Sequence, residues 1–323
     1  VTAELDSSLT KASSAVKVAV GVVFNSAGDV LIARRTNTDH LAGYWEFPGG
    51  KIESGETATV ALARELAEEV GIRVEHCRPL LTISHQYAEK FVVLDVRRVD
   101  AFSGEAVGLE GQEVRWVKPA ELLQYQLPEA NKPIVTAVSL PSQMLITGVF
   151  VNEQDLLNKC ISATDHGFSH IQFRAPWLPP QKYVELLKLL DRELRPRGVK
   201  VFANTNFQLW GMFDYPYKHL SSHRLLQFSK DQLRQTELIS ASCHNLQELQ
   251  SAEKLGVDFV YFSPVKFTRS HPHAEPAGWQ ALIDFCAEAT VPVYALGGLG
   301  SDDLVQAQAS GAQGVASISA YWR

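Results

Sequence analysis

The chain has 323 residues, too many for one ordinary domain, so two are expected. Its 46% hydrophobic and 20% charged residues describe a globular protein with ample core, and a formal net charge of -6 excludes a broad electrostatic grip on nucleic acid. The four cysteines, Cys77, Cys160, Cys243 and Cys286, form no CxxC pair, which argues against a disulfide framework or a zinc site. No apolar run is long enough for a bilayer, and the polar start shows no leader, so the expectation is a cytoplasmic protein without membrane association. There is no P-loop, HExxH or dinucleotide-binding fingerprint.

Residues 1–14 read as a flexible tail. "AVKVAVGVVFNSAGDVLIARR" then predicts two strands around the turn Asn25-Ser26-Ala27-Gly28, followed by a helix and the strand-like runs "FVVLDVRRV" and "EVRWV". A first domain over 15–138 follows, with the Pro- and Ser-interrupted "SLPSQ", residues 139–143, as linker. From 144 to 323 the rhythm alternates. "MLITGVF", "HIQFR", "VKVFAN", "HLSS", "LISAS", "FVYFSPV", "VYALGG" and "GVASIS" are short apolar strands, and most are separated by helical runs. Eight βα units predict a closed (β/α)8 TIM barrel.

The helix in "GGKIESGETATVALARELAEEVGI" carries the chemistry. At 100° per residue, Val60, Ala63, Leu66, Ala67 and Val70 share one third of its circumference, and Glu65, Glu68 and Glu69 share the opposite third. A carboxylate face can be simply solvated, or it can be shared by cations. The spacing runs Gly50, five residues, Glu56, seven residues, Arg64-Glu65-Leu66, one residue, Glu68-Glu69, one residue, Gly71-Ile72. This pattern resembles the Nudix hydrolase box without departure.

The resemblance implies an α/β/α sandwich around a mixed sheet, Mg²⁺ or Mn²⁺ as cofactor, and attack of water on a nucleoside diphosphate linked to another group. It implies metal binding by Gly50 (through its carbonyl), Glu65, Glu68 and Glu69, with Glu65 and Glu69 as catalytic residues and a Glu56–Arg64 pair bracing the loop. Flanking stretches are similar to the MutT-type 8-oxo-dGTP diphosphatases: "WEFPGGKIESGE" with Glu46 and Phe47, "GLEGQEVRWV" with Glu110, and "LPEANKPIV" with Asn131. In that group Glu110 falls at a further metal-binding or general-base position, an alternative to Glu65 as base. Asn131 falls at a purine-reading asparagine, and Arg35 at a nucleotide-holding position. A nucleoside triphosphate is the expected substrate. Asn131 beside Pro133 also suits a plain turn.

The second half resembles thiamine phosphate synthase and the related thiazole tautomerase, which implies a phosphorylated, thiamine-related ligand. Gln172, Arg174 and Asn204 match the synthase's polar positions. Gly297, Gly298 and the Ser317–Ser319 segment fall at its phosphate-holding strand ends, which makes Gly298, Ser319 and Arg174 the phosphate candidates. The departures are Pro176 and His271 in place of lysines, Thr205 in place of one metal-binding aspartate, and "SSHR", Ser221 to Arg224, in place of the segment supplying the other. His244 stands at the tautomerase's catalytic histidine and is read as a core or supporting residue.

Overall fold

The computed structural model describes residues 15–36, 42–86, 91–204, 215–233, 237–268 and 275–322. The 1–14 tail, Thr205 and His271 lie outside them. The chain divides into two compact units, Val1–Ser139 and Leu140–Arg323.

The first unit contains β1 (Val16–Val23), β2 (Val30–Arg34), β3 (Trp45–Glu46), β4 (Gly49–Lys51), α1 (Ala58–Val70), β5 (Arg73–Gln86), β6 (Phe91–Ser103), β7 (Val114–Val117) and α2 (Lys132–Ser139). The expected turn closes β1 onto β2, and the Asn25 side chain accepts from the N–H groups of Ala27 and Asp29. A mixed sheet runs β4-β1-β6-β5, with β1 parallel to β6 and antiparallel to β4. A second sheet, β3-β2-β7, is antiparallel.

Both faces of β1 are covered. Ala19 and Val23 pack with Leu62 and Leu66 of α1, while Val20 and Val22 join Ile134 and Val135 of α2. Gly21 lets α1 approach, since a β-carbon there would stand 3.1 Å from methyls of Leu62 and Leu66. The expected α/β/α arrangement is what forms.

The N-cap of α1 is Thr57, whose side chain accepts from Val60 N–H, and Gly71 ends it in the left-handed region at φ 71°. The sequence misjudged its rotation. The buried residues are Ala61, Leu62, Leu66 and Val70, whereas Val60 is 55% exposed. Around the helix, Glu65 and Glu69 therefore fall between Ala61 and Leu62, not opposite the core. Of the three glutamates only Glu68 is exposed; Glu65 and Glu69 are half-buried.

The second unit is a closed barrel of eight parallel strands: β8 (Gln143–Ile146), β9 (His170–Phe173), β10 (Lys200–Asn204), β11 (Tyr217–Leu220), β12 (Leu238–Cys243), β13 (Phe259–Phe262), β14 (Val293–Leu296) and β15 (Gly314–Ser317). Helices α3 (Glu153–Asp165), α4 (Pro180–Leu194), α5 (Leu246–Leu255), α6 (Gly278–Glu288) and α7 (Leu304–Ala309) pack outside. Between β11 and β12 the connection is two short 3₁₀ turns, Ser222–Gln227 and Lys230–Leu233. The interior is filled by Met144, Phe202, Phe259, Tyr261, Tyr294 and Ala316, so this is a packed core and not a pore. No helix among the described residues is long and apolar enough to cross a membrane.

Candidate active site and barrel cavity

Strand β4 and helix α1 meet through two glycines. A β-carbon on Gly49 would lie 2.1 Å from Ala19 O, and one on Gly50 would lie 2.2 Å from Cδ of Glu65. Only glycine lets the Glu65 carboxylate rest on the strand backbone. Gly49 N–H donates to Glu69 Oε2 at 3.2 Å. Burial pushes the Glu69 carboxyl up to about 7, opposed by that N–H and reinforced by the charges of Glu65, Glu110 and Glu46.

Arg64 braces this arrangement. Its Nε and Nη2 donate to the two oxygens of Glu56, each at 2.9 Å, and Nη2 also reaches Lys51 O at 3.1 Å. Nη1 donates to Glu65 at 2.8 Å and to Glu68 at 3.3 Å. The bidentate pair holds the Glu56 carboxyl down at about 2. Loop, strand and helix are thus tied at one guanidinium.

The donor chemistry fits a hard divalent cation: carboxylate oxygens beside a glycine backbone approached too closely for any side chain. Among the described residues no three Asp, Glu, His or Cys side chains form a ready-made metal cage.

Glu110 is exposed, and its carboxylate has no hydrogen-bond partner among the described residues. Its backbone N–H donates to Gln112 Oε1, and Gln112 Nε2 donates to Glu69 O, both at 2.9 Å. Sequence reasoning passed over Gln112; its only signal was its place in "GLEGQEVRWV".

The four substrate candidates divide. Arg35 pairs with Glu46 at 3.1 Å, and burial raises the Glu46 carboxyl while Arg35 opposes the rise. Asn131 is 7% exposed, in a short turn before α2, and its amide makes no hydrogen bond among the described residues. Phe47 is different. At 3% exposure it packs in the core with Trp45 and Ile134, so a base could touch its ring only if it left that cluster.

In the barrel, a cavity of about 370 Å³ opens at the C-terminal ends of the strands. Its polar wall includes Gln172, Arg174, Asn204, Ser221, Ser242 and His244, and no Asp or Glu borders it among the described residues. His244 is neither core nor remote: it is exposed on this wall, with Nδ1 2.7 Å from Ser263 O. Beneath it His219 is buried, with ring nitrogens 2.9 Å from Ser240 Oγ and 3.0 Å from Ser242 Oγ. Burial, with Arg224 and Arg174 adding, holds the His219 imidazole down at about 3 and therefore neutral. Of the three phosphate candidates, Arg174 lines the cavity; Gly298 and Ser319 do not. The glycine at 298 is required by packing, since a β-carbon there would stand 2.2 Å from Phe267 O.

Comparison with known proteins agrees with both halves. Residues 19–137 match the NUDIX domain, and residues 143–321 match the family described as thiamine monophosphate synthase. The 8-oxo-dGTP diphosphatase of Escherichia coli is 37% identical over 119 residues, covering 37% of this chain and 92% of that protein. The CTP pyrophosphohydrolase of the same organism is 34% identical over 118 residues, covering 36% of this chain and 87% of that protein. The thiamine-phosphate synthase of Syntrophomonas wolfei is 30% identical over 169 residues, covering 52% of this chain and 81% of that protein. The chain belongs to the Nudix hydrolases through its first unit and to the thiamine monophosphate synthase family through its second. It is a hydrolase of phosphoric anhydrides, of the MutT type, fused to a synthase-like TIM barrel.

Proposed function

We propose that residues 15–138 form a divalent-cation-dependent pyrophosphohydrolase that converts 8-oxo-dGTP to 8-oxo-dGMP and pyrophosphate. The purine reading rests on Asn131. Its amide donor and acceptor suit a guanine edge. The name of the Escherichia coli relative supports the oxidised guanine substrate.

Gly50 O, Glu65, Glu68, Glu69 and Glu110 would hold the cation. Bound Mg²⁺ or Mn²⁺ neutralises phosphate charge and makes water a better nucleophile. Glu65, resting on Gly50 and tethered by Arg64, accepts the proton of the attacking water. Glu56 and Arg64 keep the strand and helix in register, and Arg35 exchanges Glu46 for the nucleotide. The barrel binds a phosphorylated, thiamine-related molecule, with Arg174 meeting its charge and Gly298 and Ser319 at the strand ends.

A second reading, hydrolysis of thiamine-pathway diphosphates, is favoured by the presence of both units on one chain. The test is a panel of 8-oxo-dGTP, dGTP, CTP and thiamine diphosphate, each with Mg²⁺, Mn²⁺ or a chelator. The highest kcat/KM is expected on 8-oxo-dGTP, with loss of turnover under chelation. Preference for thiamine diphosphate would select the second reading; preference for CTP would overturn the purine assignment.

A further inference from the structure

The carboxylate of Glu110 is exposed and has no hydrogen-bond partner among the described residues, so what anchors it is the loop backbone that carries it. That backbone is held to α1 by one side chain and by main-chain bonds. Gln112 Oε1 accepts from Glu110 N–H at 2.9 Å, and Gln112 Nε2 donates to the carbonyl of Glu69 at 2.9 Å. Leu109 N–H donates to the same carbonyl at 2.9 Å, and Val107 N–H reaches Val70 O at 3.1 Å. The loop therefore satisfies the last carbonyls of α1, which have no partner within the helix.

The turn is built tightly around this clasp. A β-carbon on Gly108 would stand 1.8 Å from Gln112 O, and Gly111 turns back at φ +80° with its N–H on Gly108 O at 3.3 Å. The clasp needs a primary amide, because it uses a donor and an acceptor on one short group. Glutamate would keep the acceptor and lose the donor; methionine would keep the bulk and lose both.

From this geometry we infer that Gln112 is a positioning residue, which locks the loop bearing Glu110 to the helix bearing Glu69 and so sets the separation of two carboxylates across the site. The inference rests on the reading of Glu110 as a functional carboxylate of the hydrolase. Groups that orient metal-binding side chains typically cost 10–100-fold in activity or metal affinity when removed.

The experiment compares Gln112→Met, Glu110→Gln and the double variant with the parent chain. Three quantities are followed: kcat and KM on 8-oxo-dGTP, the Mn²⁺ concentration for half-maximal activity, and amide hydrogen exchange over residues 107–112 in metal-free protein. Gln112→Met should lower kcat by about 10–100-fold and raise the Mn²⁺ requirement, with KM nearly unchanged. Exchange at Leu109 and Glu110 should rise at least tenfold. The double variant should fall no more than about threefold below Glu110→Gln, because the clasp acts through Glu110. Fully multiplicative losses, or unchanged exchange in Gln112→Met, would overturn the inference. Near-parental turnover in Glu110→Gln would instead remove the functional reading of Glu110, and the positioning role would fall with it.

Discussion

The Glu65 carboxylate lies so close over Gly50 that a β-carbon there would sit 2.2 Å from Glu65 Cδ. The atom in the way is the far end of a side chain, not backbone, so the clash is relieved by swinging the carboxylate aside. Gly50→Ala should therefore cost little stability, within about 1 kcal/mol, the ordinary range of a surface substitution. It should nevertheless reduce kcat at least 100-fold, because the displaced carboxylate is the proposed metal ligand and base. Thermal unfolding and steady-state kinetics on one preparation check this. Equal loss of fold and activity would show that Gly50 is purely structural.

Glu69 is held at its other end by Gly49 N–H. Glu69→Gln keeps an oxygen for that bond and removes the charge, so the fold should survive while hydrolysis falls by orders of magnitude and binding of Mn²⁺ weakens. Calorimetric Mn²⁺ titration together with turnover is the measurement. Near-parental activity would remove Glu69 from the cation site.

Much of this site was legible because it is local in sequence. Gly50, Glu56, Arg64, Glu65 and Glu69 lie within one loop and helix, and their spacing survives translation into three dimensions. The eight barrel strands were legible for a similar reason, as short apolar runs at regular intervals. The helix rotation was not. Periodicity counts Val60 and Ala67 as core, but burial depends on which neighbours approach: Gly21 admits Leu62 and Leu66 to the sheet, and Gly50 lets the strand backbone lie against Glu65. Phe47 and Gln112 were misweighed or missed, because packing with Ile134 and bonding to Glu69 O are long-range facts.

Asn131 offers a test of specificity independent of the metal. The residue is 7% exposed, and its amide makes no hydrogen bond to the other described residues. A site built to hydrogen-bond its substrate loses discrimination when the bond cannot form. Asn131→Ala should raise KM for 8-oxo-dGTP about tenfold or more, with a much smaller effect on a pyrimidine triphosphate. A uniform effect on all nucleotides would make Asn131 a turn residue.

A pH-dependent stability is expected from Asp258, which directly precedes β13. Its Oδ2 accepts from Ile239 N–H at 2.6 Å, and burial pushes its carboxyl up to about 6 from the ordinary 3.8. Because the folded value is raised, the favourable contribution is fully present below about pH 3.8 and is lost as pH rises through about 6. Asp258→Asn keeps an acceptor for Ile239 and cannot ionise. It should stabilise the barrel by about 1–2 kcal/mol at pH 7.5, by roughly half as much at pH 5, and by almost nothing below about pH 3.8. Thermal melts at these values decide it; a gain independent of pH would mean that ionisation is not the cause.

The barrel is expected not to make thiamine phosphate, despite its family. That synthesis expels pyrophosphate, whose growing charge needs a preorganised cationic partner. In the synthases this is Mg²⁺ held by two aspartates, and here the corresponding positions carry Thr205 and the Ser221–Arg224 segment. Among the described residues the cavity wall has no Asp or Glu, so none of them offers Mg²⁺ a carboxylate there. What it does supply is Arg174 and neutral polar groups, a wall suited to holding an anion without assisting its departure. Incubation of the full chain with the pyrimidine diphosphate, the thiazole phosphate and Mg²⁺ should yield no thiamine phosphate above background, while thiamine phosphate should raise the melting temperature. Product at synthase-like rates would overturn the expectation and make the chain bifunctional. Absence of any thermal shift would remove the ligand-binding role as well and leave the barrel a structural one.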